Sequence, residues 1–266
     1  MFDFILYLYT YKKCKVAKDF IIEQLKKEFK DREIFTRDEL YQFFNKFEID
    51  LKETTFRWRV FELKEKRIIT PLSRGLFSFD YKPLYRPSIE ETEKRLFDKI
   101  YKQFPNLKLC IWSTRIINEF MLHQPGRFVT ILEVESNAIE PVFHYLKDIN
   151  VRYVFLQPNE MEIDRYVFEA DSAIILQTLI SKAPIQRINK ITTLTIEKLI
   201  VDIFSDKILF SAFQGSELNN IINNAYHHYA INFTKLFSYA RRRGKEEDLM
   251  EYLSQQTDIP QSIFND

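Results

Sequence analysis

Three stretches of helical hydrophobic period, followed by two short apolar runs around a glycine, fill the front of the chain. That order admits few folds. Val16, Phe20, Ile21, Leu25 and Phe29 recur at the spacing of one helix face, with lysines between them. After a polar break at Asp31, Arg32 and Glu33, the run Thr36-Arg37-Asp38-Glu39 is a capping box. The Thr36 hydroxyl accepts the N–H of Glu39, and the Glu39 carboxylate reaches back to the cap. A second helix through Leu40, Phe43, Phe44 and Phe47 opens there. Asp50-Leu51-Lys52 turns the chain into a third, from Glu53 to Lys66, with Phe56, Val60 and Leu63 on its buried face. Ile68 to Leu72 and Leu76 to Phe79 then read as hairpin strands around a three-residue turn, Ser73-Arg74-Gly75, with Gly75 supplying a positive φ. Three helices and a hairpin follow the order of a winged helix-turn-helix.

The expected fold class is α/β (α+β): a winged helix-turn-helix over 1–80, a linker over 81–88, and a mixed α/β domain with C-terminal helices over 89–266. Pro83, Pro87 and the loss of periodicity mark the linker. Beyond it come a helix at 89–104, a strand at 107–112, a helix at 114–121, a strand at 128–134, a helix at 138–148 and a strand at 151–156. This alternation predicts a partly parallel sheet. Further strands are expected at 173–180 and 185–191, a helix opening at Thr195, and helices at 217–229, 233–242 and 245–254.

Composition removes several function classes. The 266 residues include only 4 glycines, Gly75, Gly126, Gly215 and Gly244, so no glycine-rich loop can bring backbone up to a phosphate. Cys14 and Cys110 form neither a CxxC nor a zinc pattern and suit a reducing compartment. The apolar run at residues 2–9 is too short to span a bilayer and lacks a basic flank, so it is expected to pack into a core. No run reaches about 18 apolar residues. The expectation is a soluble cytoplasmic protein with no membrane and no cofactor. His123, His144, His227 and His228 fall in no catalytic or metal-binding frame, and the adjacent His227 and His228 point different ways. The basic run Arg241-Arg242-Arg243 reads as a helix end. No catalytic residue and no metal ligand is assigned, so the chain is not expected to be an enzyme.

Charge is asymmetric. Residues 1–87 hold 19 Lys and Arg against 14 Asp and Glu, while the remainder holds 20 against 24. A basic front suits a polyanion. In a helix-turn-helix, the leading turn of the second helix of the motif meets base edges. Here that turn offers Thr54, Thr55, Arg57, Trp58 and Arg59, with Lys52 before it and Arg74 at the hairpin tip. Arg can pair with guanine in bidentate fashion, and Thr can meet phosphate or a thymine methyl. Lys52, Thr54, Thr55, Arg57, Trp58, Arg59 and Arg74 are therefore the candidate DNA-binding residues. Trp58 has a competing assignment, to the core.

Two other classes compete with DNA binding. Glu133 and Glu135 end one strand on one face, as carboxylates that hold Mg²⁺ in nucleases and nucleotidyltransferases do. The Lys two residues after the acid and the Gly-Ser loop that those enzymes use are missing. The other alternative is a scaffold whose winged helix binds protein.

The run Glu53-Thr54-Thr55-Phe56-Arg57-Trp58, leading through Ile68-Ile69 to Ser73-Arg74-Gly75-Leu76-Phe77, resembles the winged-helix end of AbiEi-type antitoxins. The run Thr195-Ile196-Glu197-Lys198-Leu199-Ile200-Val201-Asp202 is similar to that family's "T-x-E-K-x-x-V-D" helix. The resemblance implies a bacterial antitoxin and transcriptional regulator of a type IV, or abortive-infection, toxin–antitoxin system. It implies operator binding by the N-terminal domain, on Thr55, Arg57, Arg59 and Arg74. It also implies that the C-terminal domain counters a nucleotidyltransferase-like toxin without a stable complex. Glu197, Lys198 and Asp202 carry the C-terminal signature and are assigned a structural role. The chain departs from the family in its aromatic-rich first residues, in the long helix at 89–104, and in Pro71 where a basic residue is common.

Overall fold

The structure, a computed structural model, describes residues 20–30, 32–48, 50–121 and 125–264. The apolar run at 2–9, Cys14, Val16, Asp31 and His123 lie outside the described residues. The chain divides into two compact units, Met1–Tyr81 and Lys82–Asp266.

In the first unit, α1 (20–28) precedes β1 (Phe35–Thr36), α2 (Arg37–Asn45), α3 (Glu53–Glu65), β2 (Thr70–Ser73) and β3 (Leu76–Ser78). The capping box forms as written in the sequence. Glu39 N donates to Thr36 Oγ1 at 3.1 Å, and Thr36 N donates to Glu39 Oε2 at 2.7 Å. Thr36 also ends β1, which pairs with β3, so the sheet runs β1-β3-β2, antiparallel throughout. Nothing in the sequence marked this two-residue strand. Its register sets Phe35 opposite Phe77, and the Phe35 ring lies 4.7 Å from Phe79 and 4.9 Å from Phe29.

Leu25, Phe29, Leu40, Phe43, Phe44, Phe56, Val60 and Leu63 are all buried in this core. Each such side chain contributes about 1.5–3 kcal/mol when removed from water. Phe20, expected on the apolar face of α1, is half exposed. The hairpin turn is tighter than expected. Ser73 pairs with Leu76, leaving only Arg74-Gly75 between the strands. The register shifts between Pro71 and Ser73, beside a proline that has no N–H for the ladder.

The second unit opens with α4 (Glu91–Gln103) and β4 (Leu109–Ser113), then a 3₁₀ segment (Thr114–Phe120) and β5 (Thr130–Val134). Next come α5 (Ile139–Asp148), β6 (Val154–Leu156), α6 (Glu160–Glu162) running into a π turn (Ile163–Val167), and β7 (Ile174–Thr178). The hairpin β8 (Ile185–Ile188) and β9 (Ile191–Leu194) leads to α7 (Ile196–Ser205), α8 (Ser216–His228), α9 (Phe233–Arg242) and α10 (Glu246–Gln256). The main sheet has the order β4-β5-β7-β6. β5, β7 and β6 are parallel, and β4 closes the edge antiparallel to β5. The fold class is mixed α/β.

Three local departures from the expected elements stand in the second unit. One strand was expected at 185–191, but Asn189 and Lys190 adopt positive φ (47° and 74°) and turn the chain into the β8–β9 hairpin. The helix expected at 114–121 is 3₁₀. Residues 82–88, within the expected linker, carry neither helix nor strand and belong to the second unit. There Tyr85 is buried between Phe120 and Tyr229, and Pro83 O accepts Ala230 N at 3.0 Å. No helix among the described residues is long and apolar enough to cross a membrane.

Candidate functional site

α3 divides by its own geometry. At about 100° per residue, Phe56, Val60 and Leu63 form the buried stripe, and Thr54, Trp58 and Phe61 stand opposite it. Phe56 is fully buried, whereas Trp58 and Phe61 are 54% and 56% exposed. The core assignment for Trp58 therefore falls. Lys52, at the N-cap, Thr54 and Arg57 are exposed, and Thr55 is half-buried.

Arg59 corrects the expectation for that position. It lies beside the buried stripe rather than opposite it, and its guanidinium pairs with Glu48 and sits 5.1 Å over the Phe44 ring. The Glu48 carboxylate and the aromatic face together hold it against α2, away from the face that carries Thr54 and Trp58.

The hairpin tip and the start of α3 meet through Arg37, a residue the sequence did not single out. Arg37 N donates to Gly75 O at 2.7 Å. The Arg37 guanidinium pairs with Glu53, the first residue of α3, and lies 4.9 Å over the Phe56 ring. Arg57 reaches the same carboxylate at 2.9 Å. Lys52, Thr54, Arg57 and the Arg74-Gly75 tip thus gather at one end of the first unit, around Glu53. The hydrogen bond from Arg57, followed by Arg37, holds the Glu53 carboxyl below its ordinary range. Exposed pairs of this kind are worth about 0–1 kcal/mol. Arg57 can exchange its carboxylate partner for a phosphate or a base edge at small cost. The signal for Arg37 was the capping box, which fixes it as the first residue of α2.

The second unit holds a buried ionic network. Lys198 on α7 lies 2.8 Å from the Glu133 carboxylate on β5 and also pairs with Asp202 one turn on. Trp112 Nε1 donates to Glu133 at 3.3 Å, Tyr239 Oη donates to Asp202 at 2.8 Å, and Arg243 Nη1 approaches Asp202 at 3.4 Å. Burial alone would lower the Lys198 pKa, but Asp202 and Glu133 outweigh it and hold the ammonium well above its usual range. Burial raises the Glu133 carboxyl, against the pull of Lys198. Two cations therefore face two carboxylates, and the charges balance.

Glu197, next in the signature, accepts Asn232 N at 2.9 Å and the Thr195 hydroxyl. Glu133 and Glu135, the carboxylate pair of the competing metal-enzyme alternative, are not brought together. Glu133 is turned inward to Lys198, while Glu135 lies past the strand end and pairs with Lys108. Among the described residues no group of three or more His, Cys, Asp or Glu is placed to hold a metal ion.

The model of a family of unknown function, DUF6577, matches residues 55–259. The chain belongs to that family. The DUF6577 match begins inside α3 and runs through α10. It takes in Thr55, Arg57, Trp58, Arg59, Arg74 and the whole Glu133–Lys198–Asp202 network, while Lys52, Thr54 and Arg37 precede it. No curated protein matches the chain.

Proposed function

We propose that this protein is a DNA-binding transcriptional regulator of the type IV antitoxin kind. On this reading the first unit is a winged helix-turn-helix with α3 as its recognition helix and the β2–β3 hairpin as its wing. The observation that carries it is the Arg37 link. One residue ties the wing turn, through its backbone N–H, to the leading turn of α3, through its guanidinium, so both are presented together with Lys52, Thr54, Arg57 and Arg74. The basic balance of the first unit, 17 Lys and Arg against 14 Asp and Glu over residues 1–81, supports the same partner, duplex DNA bearing an operator. The function in its cell would be to repress its own operon and to counter a nucleotidyltransferase-like toxin without a stable complex.

The test is a mobility shift of the full chain on the DNA upstream of its own reading frame. Arg57→Ala and Arg74→Ala should each weaken binding. A lost base contact costs about 1–3 kcal/mol, and a lost phosphate contact also flattens the salt dependence. Unchanged affinity in both variants would remove the groove-reading claim.

A second reading is favoured by one observation. Trp58 and Phe61 stand exposed three residues apart on α3, as anchors in protein interfaces do. On that reading the first unit docks a protein, and no salt-dependent affinity for duplex DNA is seen.

A further inference from the structure

The second unit carries a groove of about 740 Å³, between α4 and the end of the sheet where β5, β6 and β7 begin. Five cations line it: Arg95, Lys99, Arg115, Arg127 and Arg152. Three carboxylates do so too, Glu90, Glu93 and Asp171. The second unit as a whole, residues 82–266, carries 24 acidic against 22 basic side chains, so the groove concentrates positive charge on a unit with a slight acidic excess.

The carboxylates do not cancel these cations evenly. Glu90 is engaged by Arg115 Nε at 2.7 Å, and Glu93 is buried and turned back to Glu90 N at 2.8 Å. Arg95 is engaged with Glu91, and Arg127 with Glu169 and Phe168 O. Lys99 and Arg152 are exposed and have no ion-pair partner among the described residues.

The groove also offers a flat surface. The Arg115 guanidinium lies 4.2 Å from the Phe128 ring and is anchored by Glu90, while half of its side chain stays exposed. A guanidinium plane fixed on one side by an aromatic ring stacks readily on a nucleobase on the other. The volume falls within the 300–1,000 Å³ typical of small-molecule sites. The groove sits at the amino ends of the parallel strands rather than at their carboxyl ends, where α/β folds usually bind nucleotides through backbone amides. Recognition here therefore rests on side-chain cations, which suits a chain without a glycine-rich loop.

We propose that this groove binds a free nucleoside polyphosphate, with Lys99 and Arg152 on its phosphates and Arg115 stacked on its base. The site lies in the second unit and is independent of DNA binding by the first. Calorimetric titration of the full chain with adenosine triphosphate and guanosine triphosphate tests it, with inorganic triphosphate and a short single-stranded oligonucleotide as comparisons. Saturable nucleotide binding is expected, lost at least tenfold in the double variant Lys99→Glu, Arg152→Glu. Arg115→Ala should bring the affinity for nucleotide down to that for inorganic triphosphate, and Arg57→Glu in the first unit should leave the nucleotide affinity unaltered while it weakens duplex DNA binding. These side chains are exposed, and circular dichroism of each variant reports whether it has folded. The proposal is overturned by absence of saturable binding to the native chain, by equal affinity for inorganic triphosphate, or by preference for the oligonucleotide. It is equally overturned by unaltered binding in a folded double variant.

Discussion

At the scale of single residues, neighbours outside the local sequence decide what a charged side chain is free to do. Arg57 and Arg59 are two positions apart and equally basic. Arg57 stays out in solvent against Glu53, and Arg59 is held by Glu48 and Phe44. Arg59→Ala is therefore expected to lower stability by about 1 kcal/mol, the worth of one partly shielded pair and one cation–π contact. It should leave duplex affinity within about threefold, the reverse of Arg57→Ala. Parallel urea denaturation and mobility-shift titration separate the two.

Glu93 gives a pH prediction. Burial, opposed by the hydrogen bond from Glu90 N, pushes its carboxyl from 4.5 to about 6. Between those values the folded chain holds a proton that the unfolded chain has lost, so stability falls as pH rises through this window. The ionised carboxylate's burial cost is absent below it and full above it. Glu93→Gln removes the charge and keeps an acceptor for Glu90 N. Its melting temperature should exceed that of the native chain at pH 8 and match it at pH 4. An equal change at both values would show that ionisation of Glu93 is irrelevant.

At the scale of elements, α7 and the β2–β3 hairpin depend on features of different visibility. Every residue of α7 from Ile196 to Phe204 is buried, including Glu197, Lys198 and Asp202. A helix so enclosed tolerates charge only when each charge is answered. Lys198→Met would leave Glu133 and Asp202 facing each other without their shared cation. Breaking a buried pair on one side costs about 3–5 kcal/mol, and guanidinium denaturation should register a loss of that order. If the loss is below about 1 kcal/mol, the network contributes little to the fold.

The hairpin depends on Gly75. Its φ of +82° lies where an L side chain is strained, and an added Cβ would stand 3.8 Å from Arg37 Cβ, which is ordinary contact. Gly75→Ala should thus cost about 1–2 kcal/mol through backbone strain rather than through a clash.

At the scale of the whole molecule, the proposed DNA binding predicts how affinity responds to salt, through the number of phosphates that the first unit neutralises. If Lys52, Arg57 and Arg74 each neutralise one phosphate, log K should fall with log salt at a slope of about −2.7. Replacing Arg74 by Ala should reduce that slope by about 0.9. A salt-independent affinity would place the contact on Trp58 and Phe61 instead.

The order of helices and hairpin, the capping box, the buried stripe of α3 and the β-α alternation of the second unit were all legible in the sequence. Each depends on hydrophobic period or on groups within one turn of each other. The partners of Arg37, Arg59, Glu133 and Lys198 were not legible, nor was the β1–β3 pairing, the Asn189-Lys190 turn or the gathering of Lys99, Arg115 and Arg152 around one groove. Charged side chains are long and bind whatever opposite charge the fold brings near. The sheet order that brings them together follows from packing among residues distant in the chain. Period and capping, read from neighbours alone, determined which segments become helices and strands and which face of α3 is buried. Tertiary packing decided which cations stay available to a ligand, because a charge is committed only when a partner from another element reaches it.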